Sequence, residues 1–267
     1  MGLWSPSDDD ARSLGEVTVD VALAAAATLI ASVFAISTFD RWSRRGRPHE
    51  AAWTVSLVLF AVGSGALWWA EARGWSLASF RVFYLAGAIL NVPWLALGTV
   101  YLLAGRAIGD RVRVWLIGLS GAAAGVVFTA PTKGAIDADD MPKGSEIFDA
   151  APRAFAAVGS GVAALVIIIG ALWSIARVVR GRTPAVGSAT RHVVSVARHA
   201  WANALIALGT LTLSTSGSLA GRLGEDRAFA VTLVSGVVIL FAGFLVAVTE
   251  PRRSESATQK FAELIVR

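Results

Sequence analysis

Seven long apolar stretches, separated by short polar or charged segments, make up most of the chain. They cover residues 20–39, 51–70, 80–104, 112–130, 154–175, 200–219 and 228–249. Each approaches or exceeds the ~20 residues a helix needs to cross a hydrocarbon core about 30 Å thick. Lipid offers no partner to a bare backbone N–H or C=O, so a spanning chain must be a helix or part of a closed barrel. The runs are too long and too continuous for the alternation of barrel strands. The pattern therefore predicts an all-α integral membrane protein, a bundle of seven transmembrane helices. The fourth stretch, short and rich in glycine and alanine, carries the weakest apolar signal.

Charge gives the bundle a direction. Basic residues follow the first, third, fifth and seventh stretches: Arg41, Arg44, Arg45 and Arg47; Arg106, Arg111 and Arg113; Arg177 to Arg198; and the tail after residue 250. That side carries 16 basic and 6 acidic residues, and the other carries 8 basic and 13 acidic. Basic loops stay cytoplasmic, so the N-terminus is expected outside and the C-terminus in the cytoplasm of a bacterial inner membrane. Trp42, Trp53, Trp115, Trp173 and Trp201 fall at the basic ends, and Trp68, Trp69 and Trp75 at an acidic end, as interfacial belts would. The organisation follows: residues 1–19 an acidic outer tail, 20–249 the helical domain, 250–267 a cytoplasmic tail. The tail at 1–19 lacks a basic start and a cleavage-site pattern, so it is expected to stay on the chain.

Composition agrees. Charged residues are 16% of the chain and hydrophobic ones 55%, against about 25% charged in soluble domains. The absence of cysteine excludes disulfides, thiol nucleophiles and Cys-ligated metals. The basic excess is spread over four segments without interleaved aromatics, so it points to anionic lipid headgroups and not to nucleic acid.

Candidate chemistry concentrates in the third stretch. Tyr84, Gly87, Asn91, Trp94, Gly98 and Tyr101 are spaced 3, 4, 3, 4, 3, which places them on one face of an α-helix. Pro93 removes a donor and would leave the Ile89 carbonyl open at the depth of Asn91. Such a face could line a ligand or ion site. Alternatively, the glycines permit close packing and Asn91 makes an interhelical hydrogen bond worth about 1 kcal/mol. In the sixth stretch Asn203, Thr210 and Ser214 share a face, which could complete a polar path or simply satisfy its own helix. Glu71, Arg73 and Arg81 bracket the turn between the second and third stretches, where an ion pair would fix it. The outer loop at 131–153 has five acidic residues, enough to consider a divalent cation, although such loops are ordinarily just solvated. His49, His192 and His199 lie outside the spans, so no haem or metal site is expected, and no catalytic constellation appears.

The segment Trp75-Ser76, Phe80-Arg81, Tyr84-Leu85, Gly87-Ala88 and Leu97 to Leu103 resembles a motif of uncharacterised bacterial multi-pass membrane proteins. It covers about a ninth of the chain, and the resemblance implies no known activity. Microbial rhodopsins share the span number and orientation, but they bind retinal through a lysine in the seventh span, and 228–249 has none. The Pro-Gln pairs of the PQ-loop families are likewise missing. The expected function is that of a non-enzymatic binding, sensor, accessory or scaffold protein without a cofactor. It would engage lipid, a membrane-protein partner or a second copy of itself. The alternative is a small transporter or channel.

Overall fold

The computed structural model describes residues 8–179, 201–202, 204–213 and 226–248. It is 88% helical, and its only extended pairing among the described residues is an isolated bridge between Thr132 and Phe148. Beside a single helical turn at Gly144–Ile147, the helices among the described residues are α1 (Asp8–Arg45), α2 (Pro48–Arg73), α3 (Leu77–Ala104), α4 (Arg106–Thr129), α5 (Ala150–Val179), α6 (Ala204–Leu213) and α7 (Asp226–Val248). The first five are long and apolar enough to cross a membrane. α1 begins twelve residues before the predicted span, so part of the acidic N-terminal segment is helical rather than an extended tail. An aspartate run at a helix start complements the positive end of its dipole.

Turn chemistry fixes the order of packing. Between α1 and α2, Gly46 adopts φ 61° and its N–H reaches the Trp42 carbonyl, after which Pro48 opens α2. Pro is preorganised for a first helical turn, so the hairpin needs only two linking residues. Gly74, at φ 89°, ends α2, and Ser76 begins α3 through a capping box with Ser79. Gly105 alone separates α3 from α4. Such short links oblige neighbouring helices to run antiparallel. The α4–α5 connection is long instead, and α4 and α5 touch only sparingly.

Burial is that of a membrane bundle. The inward face of α1 is Ala24, Ala27, Ala31, Ala35 and Thr38, small residues that let α2 and α7 approach. Its outward face carries Leu29, Val33 and Ile36, at 68%, 61% and 68% exposure. A water-facing surface would not hold so much contiguous aliphatic area. α4 is the most peripheral of the long helices, with only 11% of its apolar window buried.

Candidate functional site

Most buried polar residues among those described lie on α2 and α3, and the middle of α3 departs from α-helical geometry. Residues Tyr84–Leu90 are wound as π-helix, and the Asn91 N–H donates to the Ala86 carbonyl five residues back. π segments recur at functional sites. The expectation that Pro93 opens the Ile89 carbonyl assumed an α register. The π stretch ends at Leu90 and α-helix resumes at Asn91, two residues before Pro93, and the Ser160 hydroxyl of α5 donates to the Ala88 carbonyl beside that junction. A neighbouring helix thus closes the break, as backbone breaks at membrane depth require.

The six residues that α-spacing would place on one face are divided among three contacts. Toward α2, the Ser56 hydroxyl donates to the Asn91 side-chain oxygen at 2.7 Å and lies 3.0 Å from its backbone oxygen. Gly87 faces Gly63 there, and a methyl group on Gly63 would sit 3.1 Å from the Gly87 nitrogen. Gly98 lies against the buried Trp53 ring, leaving no room for a Cβ. Toward α4, the Trp94 indole N–H donates to the Ser120 hydroxyl at 3.3 Å, and Ser120 donates to the Leu116 carbonyl at 2.7 Å. The Tyr101 hydroxyl donates to Asp110 at 2.8 Å. Tyr84 lies in neither contact: its ring packs on Phe80 and Phe148 at 5.7 and 5.1 Å. The π stretch separates it in register from the rest of the set.

Of the sixth-span candidates, Thr210 is buried and donates to the Ile206 carbonyl of its own helix at 2.7 Å. Asn203 and Ser214 lie outside the described residues, as do His192 and His199.

At the Trp75 end, the connection after α4 folds back over α2 and α3. The Trp75 N–H donates to the Ala138 carbonyl at 2.8 Å. Phe148 is fully buried against Phe80, at 5.4 Å between ring centroids. The bracketing charges serve this cap. Glu71 accepts from the Trp75 indole at 3.2 Å, Arg81 donates to the Ala130 carbonyl at 2.7 Å, and Arg73 lies 4.7 Å over the Trp69 ring. Loop carboxylates pair with lysines, Asp149 with Lys133 at 3.0 Å and Glu146 with Lys143 at 3.5 Å. Among the described residues no three His, Asp or Glu side chains converge as metal ligands.

An open-sided crevice of about 500 Å³ runs between α3, α4 and α5. Pro93 and Leu97, Leu119 and Ser120, and Val158 and Val162 are typical of its walls, and Ser120 is the only residue in its lining with a polar side chain other than the Trp115 indole. Three local features make the space. The long α4–α5 connection leaves those helices apart, Gly159 and Ala163 keep the α5 wall low, and the Pro93 ring replaces a longer side chain on α3. Its α3 and α4 walls, Ile89 to Val100 and Val112 to Ala123, each extend about 16 Å at ~1.5 Å per residue.

Charges sit at one end of the crevice. Asp110 receives Tyr101 and also lies 3.7 Å from Arg106 and 3.4 Å from Arg113. Arg111 is exposed, one helical turn before Trp115, and among the described residues no carboxylate pairs with it. Glu50, buried at the start of α2, is a charged residue that the sequence pattern did not single out. Its Oε2 and the Nε of nearby Arg41 make no hydrogen bonds.

Sequence reasoning also missed Ser56, Ser120 and Ser160, the partners of α3. Each is a small hydroxyl inside an apolar run, and nothing in one helix's periodicity reveals what faces it across an interface.

Compared with known proteins, the chain matches no family model, no curated protein and no solved structure.

Proposed function

We propose that this chain is a non-enzymatic binding protein of a bacterial inner membrane, a sensor or accessory subunit that holds the hydrocarbon part of a lipid-soluble ligand between α3, α4 and α5. The crevice carries this reading: about 500 Å³ of nearly uniform apolar lining, open at the side of the bundle. Apolar pockets of this size with few polar groups are the usual form of small-molecule sites. In this reading the bundle has seven spans, its N-terminus outside and its C-terminus cytoplasmic. Two observations support the orientation. The end of α1 with Arg44 and Arg45, the following Arg47, and the start of α4 with Arg106, Arg111 and Arg113 fall at the same end of antiparallel hairpins. The acidic α4–α5 connection falls at the other end.

A polar transport path is less well supported. Asn91, Trp94 and Tyr101 are bonded to Ser56, Ser120 and Asp110 on flanking helices, so their polar atoms act as interhelical ties. Among the described lining residues the one hydroxyl, that of Ser120, is engaged by Trp94 and the Leu116 carbonyl, which favours binding over catalysis.

Mass spectrometry of material that co-purifies in mild detergent tests the reading. The wild type is expected to retain a lipid-soluble species, and Val158→Trp, which fills the crevice from α5, is expected to lose it. Identical retention by both proteins would refute a crevice ligand. Flux of a polar solute through wild-type liposomes that Asn91→Leu abolishes would establish the path instead.

A further inference from the structure

We propose that the crevice takes one acyl chain of an anionic phospholipid from the leaflet at the Arg106 end, with the lipid phosphate held by Arg111. The proposal rests on reading the crevice as a hydrocarbon site and adds the identity and direction of the ligand.

Three features converge on it. The first is length. The α3 and α4 walls extend about 16 Å, roughly half of a hydrocarbon core about 30 Å thick, which is the depth of one leaflet's chain. The second is depth. Ser160 reaches Ala88, near the middle of α3, whereas Tyr101 meets Asp110 close to its end. The crevice occupies the interval between these levels, since its α3 wall starts at Ile89 and its α4 wall begins at Val112. It therefore runs from mid-bundle toward one surface, as a chain belonging to a single leaflet does.

The third feature is charge. On α4, Arg111 precedes Trp115 by one turn and adjoins Val112, and both of these residues line the crevice. Helical side chains lean toward the N-terminus of their helix, so the Arg111 guanidinium points past the end of the crevice to headgroup level. Its aliphatic stem can lie along the apolar wall while its charge stays in the interface. The other cations of this turn are already engaged, because Arg106 and Arg113 both lie near Asp110. Arg111 is thus the cation left for an incoming anion. A phosphate oxygen pair matches the fork of a guanidinium. Trp115, 75% exposed, supplies an amphipathic ring at the same level.

The full-length protein in maltoside detergent is titrated with dioleoyl phosphatidylglycerol and, separately, with dioleoyl phosphatidylcholine. Bound lipid is counted by native mass spectrometry, and thermal unfolding is followed in parallel. Both lipids carry the phosphate, but the choline ammonium of the zwitterionic one offsets its charge. The wild type is therefore expected to prefer the anionic lipid about five-fold, the ratio one interfacial arginine supplies. Arg111→Gln is expected to bind both lipids equally, and Arg44→Gln, whose cation pairs with Asp40 on α1, to keep the preference. Equal binding by the wild type, or a preference that survives Arg111→Gln, overturns the headgroup assignment. Val158→Trp is expected to lose both lipids. If it binds them as the wild type does, the hydrocarbon site itself is refuted, whatever the headgroup preference.

Discussion

The Ser56–Asn91 contact offers a quantitative test of whether α3's polar groups tie helices together or serve a ligand. Ser56 lies near both the side-chain and backbone oxygens of Asn91, at 2.7 and 3.0 Å. A serine has only one proton to donate, so this is one shared hydrogen bond and not two. Interhelical hydrogen bonds within membranes contribute about 0.6 kcal/mol on average and up to about 1.7. The short, buried bond here belongs in the upper part of that range, at about 1 kcal/mol. Ser56→Ala should remove that amount. Asn91→Ala should cost slightly more, because it also opens a small space beside Ser56. The orphaned Ser56 hydroxyl can turn back to its own helix, which limits the loss. The double variant should then show a coupling of about 1 kcal/mol, a roughly five-fold change in the unfolding equilibrium. Reversible unfolding in mixed micelles of dodecyl sulfate and maltoside, followed by circular dichroism, measures all four corners of the cycle. A coupling indistinguishable from zero would refute the contact as a tie and return Asn91 to the set of ligand candidates.

Other positions give equally direct outcomes in the same assay. Gly98→Ala should destabilise by about 1–3 kcal/mol because the new methyl overlaps the Trp53 ring, whereas Gly87→Ala, with nothing within 4 Å of its Cβ, should be tolerated. Equal costs at the two sites would contradict the packing. Ser160→Ala should cost about 1 kcal/mol by removing the donor to the Ala88 carbonyl, and Ser160→Thr, which keeps a hydroxyl, should recover part of that loss. An equal loss in both variants would show that the hydroxyl is not the stabilising group. Phe148→Ala should detach the α4–α5 connection from Phe80 and Tyr84, costing about 3–5 kcal/mol and making residues 131–149 sensitive to protease in sealed, correctly oriented vesicles. Unchanged protease resistance would remove the aromatic anchor from the account.

The sequence carried the helical class because hydrophobic length is a one-dimensional property. Any run near 20 apolar residues must satisfy its own backbone in lipid, and α1 to α5 are such runs. It placed the gaps between runs but not the residues that turn them, Gly46, Pro48, Gly74 and Ser76, which act locally through φ preference and capping. What could not be read was the π stretch. One register change inside an unbroken apolar run leaves no compositional mark, yet it moves Tyr84 out of register with Asn91. Contacts between helices were equally hidden. Asn91, Trp94 and Tyr101 stand out as polar groups in an apolar helix, but which neighbour bonds them depends on helix rotation. The crevice had no sequence signature at all. It arises where three helices fail to close, and its walls are ordinary Leu, Val and Ala.

Photolabelling with a fatty acid that carries a diazirine near its chain end tests the central claim most directly. The full-length protein in liposomes would be irradiated and its labelled peptides mapped by mass spectrometry. The account predicts labelling concentrated in residues 112–123 and 154–166, at least several-fold above α1, and lost in Val158→Trp. Label spread as heavily over Leu29, Val33 and Ile36, which face outward on α1, would contradict it and leave only general lipid solvation.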